Sequence, residues 1–195
     1  MARPVVIRET LDRAALRLFA EKGVAETSIR DIAEAAGVSQ GAMYRHYASK
    51  DDLVTHLFVE HYGNLGRELD QIRATEATLT GRLDTLARTF CALFDRDREM
   101  FRFLLLVQHG QLSRMPEGLR HPVAVLEDIM AEAIAAGDLP GGDPAFLTAL
   151  VLGLVVQTGT FHVYGALTGG LTPLSTALAA ACIAAVEAAA RSPEV

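Results

Sequence analysis

Apolar residues recur along this chain at three- and four-residue spacing from end to end, without the alternation that a half-buried strand requires. From Val5 to Lys22 the set Ile7, Leu11, Ala15, Leu18 and Phe19 marks one face of a first helix, with Pro4 suited to its first turn and Gly23 to its stop. Ile29, Ile32, Ala33 and Ala36 repeat the spacing over a short second helix, which Ser28-x-x-Asp31 opens as a capping box and Gly37 ends. Gly37-Val38-Ser39 then turns the chain sharply. Ser39 can cap a third helix running to about Tyr47, in which Met43 and Tyr47, four apart, face inward together. Ser49-Lys50-Asp51-Asp52 is a second capping box, and it starts a longer helix through Leu53, Leu57, Val59, Tyr62, Leu65 and Leu69.

Past Thr75 the helical period continues in segments near 79–95, 98–110, 119–136, 144–167 and 173–191. The breaks fall at Met115-Pro116-Glu117-Gly118, at Gly137-Asp138-Leu139-Pro140-Gly141-Gly142 and at Gly169-Gly170-Leu171-Thr172-Pro173, each rich in residues that end helices. The pattern therefore predicts an all-α chain of about nine helices. Composition agrees: half of the 195 residues are apolar, Ala and Leu fill most apolar positions, and Trp is absent, which favours helix over strand.

Charge divides the chain. Residues 1–50 hold eight Lys or Arg against six Asp or Glu, whereas the remainder holds ten against eighteen, so a basic front end is joined to an acidic body although the total is -6. That asymmetry is compatible with a phosphate-seeking module at the front, 1–50, and a separate helical part, 51–195. The two cysteines, Cys91 and Cys182, are far apart and suggest neither a disulfide framework nor a zinc site. Acidic residues interrupt the N-terminal apolar pattern, unlike a signal peptide, so a reducing, cytoplasmic location is expected.

Two short helices joined by a tight glycine-containing turn describe a helix-turn-helix, whose second helix can enter the major groove of B-DNA. With Met43 and Tyr47 inward, the leading face carries Gln40, Gly41, Ala42, Tyr44, Arg45 and His46. Gln reads adenine, Arg reads guanine, and Ala packs on a thymine methyl group. Contacts to phosphate are expected at the rim, from Thr27, Ser28, Tyr44 and Lys50, with Arg30 and Ser39 as further candidate DNA-binding residues.

The run TSIRDIAEAAGVSQGAMYRHYASKDDL, preceded by ALRLFAEKG, resembles the DNA-binding domain of the TetR (tetracycline repressor) family of bacterial transcription regulators. Ile-Ala, Ala-Gly-Val, Tyr-x-His-aromatic and the following Lys all fall in register over roughly the first 60 residues. The resemblance implies phosphate contacts by Thr27 or Ser28, Tyr44 and Lys50, and groove contacts from Gln40 to His46. Position 47 is more usually Phe in the family, so the Tyr47 hydroxyl either stays buried or reaches a phosphate. Gly41 departs from the commoner helix formers.

Between Asp143 and Glu187 lie 43 residues without a formal charge, long enough for two membrane spans. Gln157, Thr158, Thr160 and His162 interrupt the first segment and positive flanks are missing, so helices buried on several sides are expected instead. Leu150 and Leu154, with Leu174, Leu178, Ala181, Cys182, Ala185 and Val186, are candidates for a homodimer interface, because helical C-terminal pairs of this kind dimerise TetR-like proteins. A dimer would place two reading helices in successive major grooves, about 34–36 Å apart, on a near-palindromic operator.

The family resemblance further implies a small-molecule effector pocket. Candidate lining residues, largely apolar with a few polar handles, are Phe90, Phe94, Phe103, Leu106, Val107, His109, Gln157, Phe161, His162 and Tyr164. An enzyme is the rival class, but G-x-S-x-G, a phosphate-cradling glycine loop and H-E-x-x-H are all missing. His56 and His61, five apart on one helix, point different ways, so no metal site, cofactor or catalytic residue is expected. A sequence-specific, ligand-responsive repressor is the reading that results, with a helical interaction module lacking DNA binding as the alternative.

Overall fold

The computed structural model describes residues 4–192, with side chains from Ile7 onward. Its helices are α1 (Pro4–Lys22), α2 (Ile29–Ala35), α3 (Gln40–Tyr44), α4 (Lys50–Thr75), α5 (Leu79–Arg96), α6 (Arg98–Gln111), α7 (Pro122–Ala136), α8 (Pro144–Val163) and α9 (Ser175–Ala190). Short 3-10 turns follow α6 and precede α9, and no strand occurs among the described residues.

The ends of the first helices are set by the residues that the sequence singles out. Gly23 leaves α1 at φ +85°, where a side chain would be strained, and its N–H returns to the Phe19 carbonyl at 3.0 Å. Both halves of the Ser28–Asp31 capping box form, at 3.1 and 3.0 Å. Ser39 Oγ accepts from the Ala42 N–H at 3.1 Å to start α3. This helix is shorter than expected: it ends at Tyr44, and the His46 and Tyr47 N–H groups both fold back on the Met43 carbonyl.

Two compact units emerge, and neither is one uninterrupted stretch of chain. The first comprises Met1–His61 with Arg98–Glu117, the second Tyr62–Asp97 with Gly118–Val195. In the first, α6 lies on α1, and Phe19 stacks on Phe103 with ring centroids 5.7 Å apart. Leu11, Ile32, Met43, Leu53, Leu57 and Phe58 complete a fully buried core, whose apolar area is the main stabilising term of the unit.

In the second unit α5 packs on α9, and α8 lies on both α7 and α9. Asp95 near the end of α5 accepts from the N–H groups of Leu171 and Thr172, each at 2.9 Å, and from the Thr172 hydroxyl at 2.7 Å, which pins α5 to the start of α9. The later part of α4 meets the segment before α7 at Gly66, where a Cβ would lie 2.4 Å from the Arg120 carbonyl oxygen. Arg120 then grips Asp70 through two nitrogens, at 2.8 and 2.6 Å, and Asp128 through a third at 2.8 Å.

The charge-free stretch resolves into α8 and the 172–190 segment. Both are long and apolar enough to cross a membrane by length and composition, and about a third or less of each is buried within the chain. Their buried faces are Leu147, Val151 and Val155 on α8, and Leu178, Cys182 and Val186 on α9.

Candidate nucleic-acid interface

The first unit is built so that one side of α3 is held and the other is offered. Met43 is fully buried beneath the helix and Ala42 is 7% exposed, while Gln40, Gly41, Tyr44 and Arg45 lie exposed and His46 is half-buried. Tyr44 has 54% of its surface open. An amide, a guanidinium and a phenol thus stand along one exposed edge, beside a glycine at which a Cβ would meet nothing closer than 3.9 Å. Those groups have the donors and acceptors that base edges and phosphates match.

Three of the expected contacts are placed differently from the sequence reading. Ala42 turns toward the core beside Met43, about 100° round the helix from exposed Gly41, so its methyl group does not front the leading face. Thr27 is 1% exposed, and its hydroxyl donates to the carbonyls of Gly23, at 2.8 Å, and Leu18, at 3.4 Å, which commits it to closing the α1 end. Ser28, next in sequence, is exposed, as are Arg30 and Ser39. Lys50 is turned back on its own unit: its ammonium donates to the carbonyls of Val24, Thr27 and Ala25 at 2.7, 2.9 and 3.3 Å.

Tyr47 resolves the choice left by its hydroxyl. The ring is 3% exposed, and the hydroxyl donates to Asp12 Oδ1 at 2.5 Å while accepting from Arg8 Nε at 3.2 Å. Burial first, and then the bond to Asp12, hold the phenol well above its ordinary pKa. Burial likewise raises the Asp12 carboxyl, against the lowering influence of Tyr47. Arg8 reaches on to His56, which is paired with Glu60 at 2.9 Å. Asp12, His56 and Glu60 bring ligand-type atoms within 4.8 Å of one another, but the Arg8 guanidinium already supplies the positive charge there. The sequence reading did not identify this network; Arg8, Asp12 and His56, spaced four and forty-four apart, leave no local signature.

The dimer candidates separate into two groups. Leu178, Cys182 and Val186 are buried inside the second unit, on the side of α9 that meets the rest of the chain, and so do not lie on an outer face. Leu174 and Ala181 are exposed, and Leu150, Leu154 and Ala185 are partly so. Alongside them stand Phe146, Gly153 and Phe161 of α8 and Ala177 and Ala184 of α9, all exposed. An apolar helix pair buried on one side only must have two-sided periodicity, and period alone could not tell which side faced inward.

The effector candidates are also divided. Phe90 and Phe94 approach each other at 6.1 Å, and His162 meets the Phe94 ring edge-on at 5.0 Å, while its Nε2 lies 2.7 Å from the Gly169 carbonyl oxygen. Those three are together in the second unit. Gln157, Phe161 and Tyr164 are exposed, which removes them from its interior. Phe103 belongs to the core of the first unit with Phe19, and Leu106, Val107 and His109 follow it on α6 with Leu106 and His109 exposed.

Comparison with known proteins gives these geometries a lineage. Residues 13–57 match the family model of bacterial regulatory proteins, tetR family. The chain is 34% identical over 106 residues to the HTH-type transcriptional regulator YerO of Bacillus subtilis, covering 52% of this chain and 36% of that protein. It is 32% identical over 118 residues to the transcriptional repressor KstR2 of Mycolicibacterium smegmatis, covering 60% and 56% respectively. The matches thus span from about a third to little more than half of these relatives. Among solved structures, the fatty acid degradation regulator FadR from Bacillus halodurans superposes with a TM-score of 0.81 at 19% identity, over 91% of this chain and 94% of that one. FadR from Bacillus subtilis, solved in complex with stearoyl-CoA, gives 0.76 at 22% identity over 91% and 98%. At such identities the likeness is one of fold. The chain's helix-turn-helix, within residues 13–57, is thus similar to that of the tetR family of bacterial regulatory proteins, and its fold is that of these solved regulators.

Proposed function

We propose that the protein is a ligand-responsive transcriptional repressor that binds a near-palindromic operator as a homodimer in the cytoplasm, and that it is not an enzyme. The observation that carries this reading is the two-sided α3: Met43 is buried completely behind it, and Gln40, Tyr44 and Arg45 stand free in front. Residues 1–50 serve as the DNA-binding part and 51–195 as the regulatory part. Gln40, Gly41, Arg45 and His46 read bases, and Ser28, Arg30, Ser39 and Tyr44 contact phosphate.

A single five-residue helix contacts few base pairs, so specificity calls for a second copy. The outer faces of α8 and α9, with Leu150, Leu154, Leu174 and Ala181 flanked by Phe146, Gly153 and Phe161, are the surface for it. An apolar face of that extent is more stable covered than in water. The effector is a largely apolar small molecule. The stearoyl-CoA bound by FadR of Bacillus subtilis makes long-chain acyl thioesters the first probes to try. Regulation requires that such a ligand favour one of two conformations that differ in affinity for DNA.

An electrophoretic shift with the intergenic DNA beside the gene tests the core of this reading. A discrete shift competed by the same DNA and not by an unrelated duplex is expected. A shift competed equally by both would contradict specific recognition. For the effector, an acyl-CoA that raises Tm and releases the DNA supports the reading, and one that raises Tm while operator affinity stays constant opposes it.

A further inference from the structure

Asp12, His56 and Glu60 meet at one place in the first unit, and each carries a donor atom that a first-row metal ion accepts. His56 and Glu60 stand four apart on α4, which sets them on one face of the helix, and Glu60 Oε2 lies 2.9 Å from His56 Nε2. Asp12 reaches the same place from α1, so that one ligand-type atom of each residue falls within 4.8 Å of the other two. The Tyr47 ring, 5.5 Å from that of His56 between centroids, flanks the imidazole. On a tetrahedral zinc ion with bonds of about 2.0–2.2 Å, ligand atoms stand about 3.4 Å apart. Side-chain rotation closes that difference, since Glu60 is exposed and Asp12 and His56 are half-buried.

The place already draws positive charge. Arg8 sets Nη2 2.6 Å from His56 Nε2 and 3.1 Å from Nδ1, while its Nε donates to the Tyr47 hydroxyl at 3.2 Å. His56 Nε2 is thereby claimed twice, as an acceptor by Arg8 and as a donor by Glu60, and one ring nitrogen fills one of those roles at a time. A metal ion removes the conflict, because it takes the nitrogen lone pair and the carboxylate together. Tyr47 engages Asp12 at Oδ1, and a carboxylate has a second oxygen to offer. Arg8 is exposed, so its guanidinium can turn into water and leave the position to another cation.

We propose that Asp12, His56 and Glu60 form a site for a divalent first-row metal ion of the zinc type, which displaces Arg8 and clips α1 to α4 inside the first unit. One imidazole and two carboxylates, with water in the fourth position, suit Zn2+ better than Mg2+ or Ca2+, which take oxygen ligands throughout. The two helices joined in this way carry the turn that leads to α3 on one side and leave it on the other. Binding of the ion requires neither DNA nor effector, and it is measured on the protein alone.

The experiment titrates Zn2+ into the tag-free, metal-stripped full-length protein by calorimetry and follows Tm with Zn2+ and, separately, with Mg2+. Uptake of one ion per protomer with Kd below about 100 µM, and a Tm raised by Zn2+ and not by Mg2+, are expected. His56→Ala and Glu60→Gln should each weaken that uptake by about tenfold or more. Arg8→Met should tighten it by about threefold or more, because the competing positive charge is gone. Full affinity retained by either His56→Ala or Glu60→Gln assigns the ion to other groups and overturns the proposal. A parent Kd above about 100 µM overturns it as well, and so does an Arg8→Met variant that binds Zn2+ no more tightly than the parent. Should His56→Ala fail to fold, Glu60→Gln, at an exposed position of α4, is held to the same threshold alone.

Discussion

The Tyr47 hydroxyl donates to Asp12 Oδ1 at 2.5 Å and so joins the turn after α3 to the middle of α1. Because both groups lie largely out of water, removing one strands the other. Tyr47→Phe is therefore expected to lower unfolding free energy by about 1–2 kcal/mol, read from the urea midpoint. Specificity for the operator should survive, since the hydroxyl does not face the DNA. A stability equal to that of the parent would show that the network contributes nothing.

Gly66 is tight against backbone, and backbone cannot step aside. Gly66→Ala would bring a Cβ within 2.4 Å of the Arg120 carbonyl oxygen, and the strain should outweigh the helix-propensity gain, leaving a net loss of about 1–3 kcal/mol. Gly153, also inside a helix, has nothing within 4 Å within its own chain. Gly153→Ala should leave the fold of the protomer as stable or firmer, so the pair of variants isolates the steric cause.

The two sides of α9 should respond differently. Leu178→Ala removes a buried side chain and is expected to cost about 2–4 kcal/mol of stability. Ala181→Glu places charge on the exposed side and should leave the protomer folded while light scattering reports monomer. Dimers persisting in Ala181→Glu, or a loss of dimer with unchanged stability in Leu178→Ala, would reverse the assignment of faces.

His121 gives stability a dependence on pH. Its Nδ1 accepts from the Ala124 N–H at the start of α7, and burial holds its pKa below the ordinary histidine value. A base with a depressed folded pKa takes up its proton more readily in the unfolded chain. Its contribution is thus present above about pH 6.5 and is lost as pH falls through the lower folded value. His121→Asn, which keeps a capping oxygen, should flatten the decline in Tm between pH 7 and pH 5; an unchanged decline would assign it to other groups.

Both thiols are expected to be inert in the native protein. Burial pushes Cys91 and Cys182 up to about 11, and neither exposes surface, so iodoacetamide at pH 8 should label them only at the rate of unfolding. Rapid labelling of either would mean that the α5–α9 contact opens on its own.

Much of the fold is legible because helix ends are local events. Ser28, Ser39, Gly23 and Gly37 carry their instructions within four residues, and the structure obeys each. Period also separated Met43 from Gln40 and Arg45. What escaped was tertiary. The inward turn of Ala42 depends on how α3 is rotated against the core, and the occupation of Lys50 depends on carbonyls more than twenty residues away. The faces of α8 and α9 escaped for another reason: both sides are apolar, so only packing reveals which is the chain's own. For the effector candidates, apolar character selected core residues such as Phe103 as readily as exposed ones such as Tyr164.

The central claim is that the outer side of α3 reads DNA sequence. Binding-site selection from a random duplex library, carried out in parallel with the parent protein and Arg45→Ala, tests it most directly. The parent should enrich a near-palindrome with half-sites about 10 base pairs apart or a multiple of that, and Arg45→Ala should bind that site about 1–3 kcal/mol more weakly with relaxed preference at one position of each half-site. Enrichment of no sequence by the parent, or of an identical motif with equal affinity by Arg45→Ala, would contradict the account.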